Sequence, residues 1–570
     1  MASPVIEFKD FSFRYKSQNE DTLKHINLVI NKGEKVLILG PSGSGKSTLA
    51  NCINGLIPFS YPGEIKGSLK VAGIETQESS LFALSNHVGT VQQDSDAQFI
   101  GLSVGEDIAF SLENDCVPRS EMLGKVKEAA KTVDMEEFLE ELPYDLSGGQ
   151  KQKVALGGVL HNDVEVLLFD EPLAALDPAM GMTAVDLIDR IFRSGDKTVV
   201  IVEHRLEDVL YRHVDRILLV HEGEITLDTT PDELLRSNVL KDMGIREPLY
   251  ISALKNAGCA FGPEDHLADM DELDIHLYKD QLVSHFEKQK TSLKYAVPAG
   301  ETLLEVKDVS FSYGDFEALK HISFTVKKGE RISVIGKNGA GKSTMAKLLC
   351  GIVRPQSGTV TFRGKNCMEY SIRELGQLIG YVMQNPNQML VKDMIRDEIQ
   401  LAMKLNHLPE ETVEKNTEEV LKMTDLYPMR NWPISVLSYG QRKRVTIASI
   451  LSLRPEIIIV DEPTAGQDYK HYTEIMNFLE NLNKEYGITI LFITHDMHLA
   501  IEYTDRSIVF SDGELLADDY VFRVLSDKDV IKKANLKNTS LVLLAEKAGI
   551  DPKLFIHAFI DEERRNRAHG

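Results

Sequence analysis

The chain carries one ordered pattern twice, and this duplication constrains its fold more than any other feature of its 570 residues. VIEFKDFSFRY (5–15) returns as LLEVKDVSFSY (303–313), and GPSGSGKST (40–48) as GKNGAGKST (336–344). LSGGQ (146–150) returns as LSYGQ (437–441), LLFDEP (167–172) as IIVDEP (458–463), and VEH (202–204) as ITH (493–495). Lys46 and Lys342 lie 296 positions apart, whereas Gln93 and Gln384, Ser147 and Ser438, Glu171 and Glu462, and His204 and His495 are all 291 apart. The halves therefore keep register through one change of five residues, placed where IPFSYPGEIKG (57–67) faces the shorter VRPQSG (353–358). The register persists past the motifs, with IREPLYISALKNAG (245–258) matching LKNTSLVLLAEKAG (536–549). A repeat this long is no solenoid unit. Because every chemically important position is present in both copies, neither copy reads as a dead duplicate.

Within each half, KVLILG and RISVIG are short apolar runs ending in glycine, followed by helix-compatible stretches. EVLLFDE, TVVIVEH, EIIIVDE and TILFITH are continuous apolar runs of the kind buried on both faces of a parallel sheet. The pattern predicts an α/β layered domain made twice, each copy with a helical C-terminal extension. The expected boundaries are 4–245 and 246–264 for the first domain and its extension, 265–302 for a linker, and 303–520 and 521–570 for the second domain and its extension. The linker opens acidic, EDHLADMDELD, and then reads as a helix near residues 278–290.

The glycine loops carry the first chemistry. Gly40-x4-Gly45-Lys46-Ser47 and Gly336-x4-Gly341-Lys342-Ser343 fit the phosphate-loop pattern. Glycine lets backbone N–H groups converge on phosphate oxygens, and the following helix adds its positive end. The expected nucleotide contacts are Gly40, Pro41, Ser42, Gly43, Ser44, Gly45, Lys46, Ser47 and Thr48 in one loop. In the other they are Gly336, Lys337, Asn338, Gly339, Ala340, Gly341, Lys342, Ser343 and Thr344. Lys46 and Lys342 reach the β- and γ-phosphates, and Ser47 and Ser343 offer a hydroxyl to Mg²⁺. Asp170 and Asp461 end apolar strands, where a carboxylate can hold Mg²⁺ through water; Glu171 and Glu462, next in sequence, can polarise an attacking water.

This ordered set resembles the ATP-binding cassette (ABC) proteins over nearly the whole chain, which implies two tandem P-loop NTPase domains, each with a helical subdomain and a helical C-terminal extension. The resemblance implies that Tyr15 and Tyr313 stack on adenine and that Gln93 and Gln384 touch Mg²⁺ and face a membrane partner. It implies that Ser147, Gly149, Ser438 and Gly440 of the signature motifs, and the D-loop aspartates Asp177 and Asp468, contact nucleotide. It makes Glu171 and Glu462 the general bases and His204 and His495 the switch histidines that sense γ-phosphate. It further implies head-to-tail pairing of the halves. One composite site then joins Lys46, Glu171 and His204 to Ser438, and the other joins Lys342, Glu462 and His495 to Ser147. Within the family, VQQDSDAQFI, VMQNPNQMLV, GEDIAFSLEN and the helical extensions are similar to the ATPases of energy-coupling factor (ECF) importers of vitamins, vitamin precursors and metal ions. ATP and Mg²⁺ are the implied cofactors. One departure is Tyr439, opposite Gly148: lost backbone freedom and added bulk predict slower turnover at the site of Lys46.

The remaining features bear on partners. No run of about 18 apolar residues is present, so membrane scaffold and substrate-binding subunits would be separate proteins. The N-terminus runs straight into strand-like sequence, which does not read as a secretory signal. The expected location is the cytoplasmic face of the cell membrane, as a peripheral protein. The five cysteines form no C-x-x-C pair, which suits a reducing compartment and excludes zinc-bearing DNA-repair cassettes. With 64 Lys and Arg against 87 Asp and Glu, a net charge of −23 predicts no nucleic-acid partner. The alternative, a double-cassette ATPase acting on the ribosome, is opposed by that charge and by both switch histidines. Acidic residues after the glutamine loops, Asp94, Asp96, Glu106 and Asp107, then Asp393, Asp397 and Glu398, are expected to meet a basic membrane partner.

Overall fold

The computed structural model describes residues 3–93, 98–160, 164–174, 176–195, 197–290, 300–464 and 467–569. They form two units, Met1–Tyr278 and Lys279–Gly570, each built on the same plan.

In the first unit, a twisted antiparallel sheet runs in the order Leu23–Asn31, Pro4–Tyr15, Gly63–Val71, Ile74–Glu75. A six-stranded sheet follows the order Glu224–Thr229, Arg216–His221, Lys35–Leu39, Thr198–Val202, Val166–Asp170, Val88–Val91. Five of its strands are parallel, and the edge strand Glu224–Thr229 is antiparallel. Every residue of Lys35–Leu39 and of Thr198–Val202 is buried, as the continuous apolar runs require. The second unit repeats both sheets: Phe316–Lys327, Thr302–Tyr313, Ser357–Phe362, Lys365–Asn366, then Ile379–Val382, Ile457–Asp461, Thr489–Ile493, Arg331–Ile335, Arg506–Ser511, Glu514–Tyr520. In each unit, the core includes apolar side chains filling the space between the antiparallel sheet and one face of the parallel sheet.

Two glycine pairs locate the length change. Gly55 and Gly351 both take positive φ just after the phosphate-loop helix, against Leu84 and Leu375. Gly67 and Gly358, both at φ 79°, press against the carbonyls of Asp10 and Asp308, where a Cβ would lie 2.2 Å from oxygen. The first pair keeps the longer spacing and the second pair the shorter, so the five extra residues lie between Gly55 and Gly67.

Helices Val104–Asn114, Arg119–Thr132 and Gly148–Leu160 form the helical subdomain of the first unit. Ile395–Leu405, Glu410–Met423 and Tyr439–Leu451 form that of the second. The stretch expected to be a linker divides at Tyr278. Before it, Tyr250 Oη donates to Leu267 O at 2.6 Å and Tyr278 Oη to Asp265, so this part packs into the first unit. After it, helix Lys279–Lys290 packs on Pro552–His569 of the second unit through Phe286 against Phe555 and His285 against Glu562 at 3.0 Å. Its apolar positions 282 and 286, one turn apart, supply the buried face.

Candidate functional site

Three adjacent parallel strands in each unit deliver the chemistry to one edge. The phosphate loop leaves the end of Lys35–Leu39, Asp170 ends Val166–Asp170, and His204 follows Thr198–Val202 between them. The second unit places Gly336–Lys342, Asp461 and His495 identically in its own sheet. The carboxyl ends of such strands are where open α/β sheets bind ligands.

The loops are shaped for phosphate. Gly43 and Gly45 take φ of 75° and 108°, and Gly339 and Gly341 take 77° and 104°. Lys46 Nζ donates to Gly40 O at 2.8 Å and Pro41 O at 2.9 Å, and Lys342 Nζ to Gly336 O and Lys337 O at 2.6 and 2.8 Å. Lys337 itself pairs with Asp512 at 2.6 Å. Ser44 Oγ and Asp170 Oδ1 are buried without a hydrogen-bond partner, so the first site has polar atoms that fit a phosphate and a cation. At the position of Ser44, the second loop has Ala340. Ser47 bonds to Asp170, and Ser343 Oγ donates to Asp461 Oδ2 at 3.4 Å, which puts each candidate Mg²⁺ hydroxyl beside its carboxylate. Tyr15 Oη lies 3.2 Å from Thr48 Oγ1, and the Tyr15 and Tyr313 rings stand edge-on to Phe13 and Phe311. Thr344, Asn338 and Ser42 lie in or next to these loops.

Both glutamates expected to act as bases sit in the left-handed region, Glu171 at φ 48° and Glu462 at φ 42°, with their N–H groups bonded to Val202 O and Ile493 O. Such strain in a non-glycine residue is held only where its surroundings fix it, and it gathers at functional positions. The side chains are held differently. His495 Nδ1 is 2.7 Å from Glu462 Oε1, and Thr494 Oγ1 donates to Glu462 Oε2 at 3.3 Å. In the first unit, Gln93 Nε2 donates to Glu171 Oε2 at 2.7 Å, while His204 Nδ1 is 3.9 Å from Glu171 but 3.3 Å from Glu203. Glu203, fully buried and beside His204, is a neighbour of the candidate site that the sequence reading passed over; the contrast between VEH and ITH was its only signal.

This extra carboxylate marks the electrostatics. Burial, then Glu171 and Glu203, push Asp170 up to about 6 against the pull of Lys46 and Ser47. Burial also raises Glu171, with Glu203 adding and His204, Lys46 and Gln93 opposing. Asp461 is raised by burial too, but Tyr381 donates to it at 2.7 Å and the buried Lys443 opposes the shift.

The signature and D-loop residues prove to be helix caps. Ser438 and Gln441 form a reciprocal capping box on Tyr439–Leu451, and Ser147 and Gln150 exchange the matching bonds at the start of Gly148–Leu160. Asp177 accepts from Met180 N and Asp468 from His471 N, capping Pro178–Ser194 and Tyr469–Tyr486. Gly149 and Gly440 are the second residues of their helices.

Two expectations need correction. Gly148 and Tyr439 are both first helical residues, so the position never needs positive φ and the backbone penalty for tyrosine is absent. The acidic docking set is also smaller than expected. Asp107 Oδ1 accepts from the N–H groups of Ile100 and Gly101, Glu106 from Leu102, and Glu398, fully buried, from Val391 and Lys392. These carboxylates hold their own loops. Asp94 and Asp96 lie outside the described residues. Of the expected set, Glu106, Asp393 and Asp397 are exposed, and Lys392 and the apolar Ile100, Leu102 and Val391 are exposed in the same two segments.

Comparison with known proteins settles the family. The ABC transporter profile matches residues 23–174 and 319–465. A Clostridium perfringens protein described as an ABC transporter ATP-binding protein is 54% identical over 565 residues, 99% of each chain. An Enterococcus faecalis protein of the same description is 52% identical over 570 residues, the whole of both. The chain belongs to the ABC transporter family. It is an ATP-binding protein with two fused cassettes, and an ATPase. A second profile, described as ATP-binding cassette cobalt transporter, matches residues 237–311. The solved structure of cbiO1 from Clostridium perfringens, titled as part of the ABC transporter complex cbiONQ, aligns with a TM-score of 0.39 and 35% identity, covering 43% of this chain and 99% of that one.

Proposed function

We propose that the chain is the energy-coupling ATPase of an ECF-type importer of a vitamin, vitamin precursor or metal ion, held peripherally at the cytoplasmic face of the membrane by a scaffold subunit and serving a substrate-binding membrane subunit. The observation that carries this reading is the match of residues 237–311, which span the first helical extension, to cobalt-transporter cassettes. The relatives described as transporter proteins favour it over action on the ribosome. Among the described residues, no helix is long and apolar enough to cross a membrane, which agrees with separate membrane subunits.

In this reading, each ATP is shared by one half's phosphate loop and the other half's signature serine. Lys46, Ser47, Asp170, Gln93, Glu171 and His204 act with Ser438; Lys342, Ser343, Asp461, Gln384, Glu462 and His495 act with Ser147. Mg²⁺ is held by Ser47, Asp170 and Gln93 at one site and by Ser343, Asp461 and Gln384 at the other. Each signature serine opens a helix of 13 residues, whose positive end suits a phosphate. Glu171 and Glu462 orient and polarise the attacking water.

The test is purification in mild detergent from native membranes, with identification of copurifying integral proteins and bound small molecules. Ile100→Glu with Leu102→Glu is expected to abolish copurification while leaving ATP binding by the purified chain unchanged. Recovery of ribosomal particles in place of integral proteins would refute the reading.

A further inference from the structure

The duplication supplies an internal control for the signature helices. In the second unit, Tyr439 Oη donates to the carbonyl oxygen of Gln384 at 3.0 Å. Lys443 Nζ donates to the same oxygen at 2.8 Å and to Met383 O at 3.1 Å. Arg442 adds a bond to Asn387 Oδ1 at 3.1 Å. Tyr439 and Lys443 are four residues apart on one helix face, so both reach one peptide group. Lys443 is wholly enclosed, so its ammonium depends on these carbonyls for hydration-like contacts.

Among the described residues, the first unit has no counterpart of the Tyr439 and Lys443 bonds. Gly148 stands for Tyr439 and offers no side chain. Gln152 stands for Lys443, and its Nε2 donates to Pro172 O, away from the glutamine loop. Gln93 is bonded to the catalytic glutamate. One half thus ties its glutamine loop to the signature helix, and the other ties its glutamine to Glu171.

We propose that Tyr439 and Lys443 are positioning residues that lock the second glutamine loop to the signature helix of its own unit, so that nucleotide-driven movement of Gln384 carries Ser438 with it. This rests on the reading that Gln384 serves the nucleotide of Lys342 and Ser438 that of Lys46. Occupancy at one site is then transmitted to the signature serine of the other through bonds that, among the described residues, Gly148 and Gln152 of the first unit do not reproduce. Tyr439 acquires a role in this signal that its bulk alone did not suggest.

The experiment is amide hydrogen exchange, read by mass spectrometry on the full-length chain, for wild type, Tyr439→Phe with Lys443→Gln, and Lys443→Arg. Glutamine already occupies the matching position of the first unit, and an unchanged thermal midpoint checks that the double variant folds. Loss of the anchoring bonds is expected to speed exchange in residues 383–389 about tenfold or more. Lys443→Arg, which keeps a charged donor, is expected to stay within about threefold of wild type. Unchanged exchange in the folded double variant would overturn the proposal. A second readout uses Glu462→Gln as background, which keeps the site of Lys342 able to bind ATP and confines hydrolysis to the site of Glu171, where Ser438 acts. There the double variant is expected to lower kcat about fivefold with KM for ATP within about twofold, since position and not binding is lost. A rise in KM with kcat unchanged would also overturn it. Absence of hydrolysis in the Glu462→Gln background itself would count against the composite-site reading, and the exchange result would still decide the lock.

Discussion

Replacing Glu203 by threonine, the residue that fills its place in the second unit, tests how the first site is held. Glu203 Oε1 accepts from the N–H groups of His204 at 2.9 Å and Arg205 at 3.3 Å, and Oε2 accepts from Leu173 N at 3.1 Å. Thr494 Oγ1 accepts only the N–H two residues on, that of Asp496, at 2.9 Å. Threonine at 203 can therefore keep the Arg205 bond and must lose the other two. The Leu173 N–H, left buried without an acceptor, costs about 1–3 kcal/mol, and the partly buried His204 N–H adds about 1 kcal/mol. The loss of a negative charge beside Asp170 and Glu171 offsets part of this, but only where those groups are ionised. Asp170 has a folded value of about 6 against an unfolded 3.8. A carboxyl raised in this way contributes stability that is complete below the unfolded value and is lost as pH rises through about 6. Without Glu203 that loss is smaller. The variant is therefore expected to be about 2–4 kcal/mol less stable at pH 5, with a smaller deficit at pH 8. Urea unfolding of the full chain in chelator measures both. His204 is expected to turn to Glu171, as His495 does to Glu462, and the acid limb of hydrolysis in a Glu462→Gln background to move to lower pH. A deficit that grows with pH, or an acid limb that stays in place, would refute the reasoning.

Three further outcomes are expected. Glu171→Gln combined with Glu462→Gln keeps ATP binding and lowers turnover at least about a hundredfold, because a neutral amide cannot act as the base; steady-state phosphate release and equilibrium nucleotide binding check this. Asp189→Ala costs about 3–5 kcal/mol, since it strands the fully buried Lys35 ammonium, which lies 3.1 Å from that carboxylate. Lys35→Met costs distinctly less, because Arg193 at 2.8 Å still neutralises Asp189; urea midpoints rank the two. Tyr15→Ala and Tyr313→Ala each weaken ATP binding about tenfold if the rings stack on adenine, with GTP and ATP affected alike, by titration calorimetry.

How much of this was legible before the fold follows from the range of each signal. The phosphate loops, the strands feeding Asp170 and Asp461, and the length change near Gly67 are local patterns, and two copies of each fixed their alignment. Helix starts were legible too, although for a reason the motifs did not advertise: S-x-x-Q in LSGGQ and LSYGQ is a capping box as well as a signature. What stayed hidden depends on partners far along the chain. Gln93 meets Glu171 across 78 residues, and Tyr439 meets Gln384 across 55. Whether Asp107 and Glu398 face a partner or their own loop is decided by a backbone bend, and charge composition does not report it.

The differences between the halves carry more information than their likeness. Shared residues build the edge where three strands converge, and they make each unit capable of holding a nucleotide. Glu203 against Thr494, Thr90 against Tyr381 and Gln152 against Lys443 then alter what surrounds an unchanged set of catalytic groups. In the first unit they leave more negative charge than the buried carboxylates can easily keep, and Asp170 is pushed up to about 6. In the second, a hydroxyl and an ammonium oppose the same effect on Asp461. A cation bound at Asp170 relieves more repulsion than one bound at Asp461, so nucleotide with Mg²⁺ should stabilise the first unit more, relative to its free state, than the second. The two halves keep one set of residues and hold it in different electrostatic surroundings.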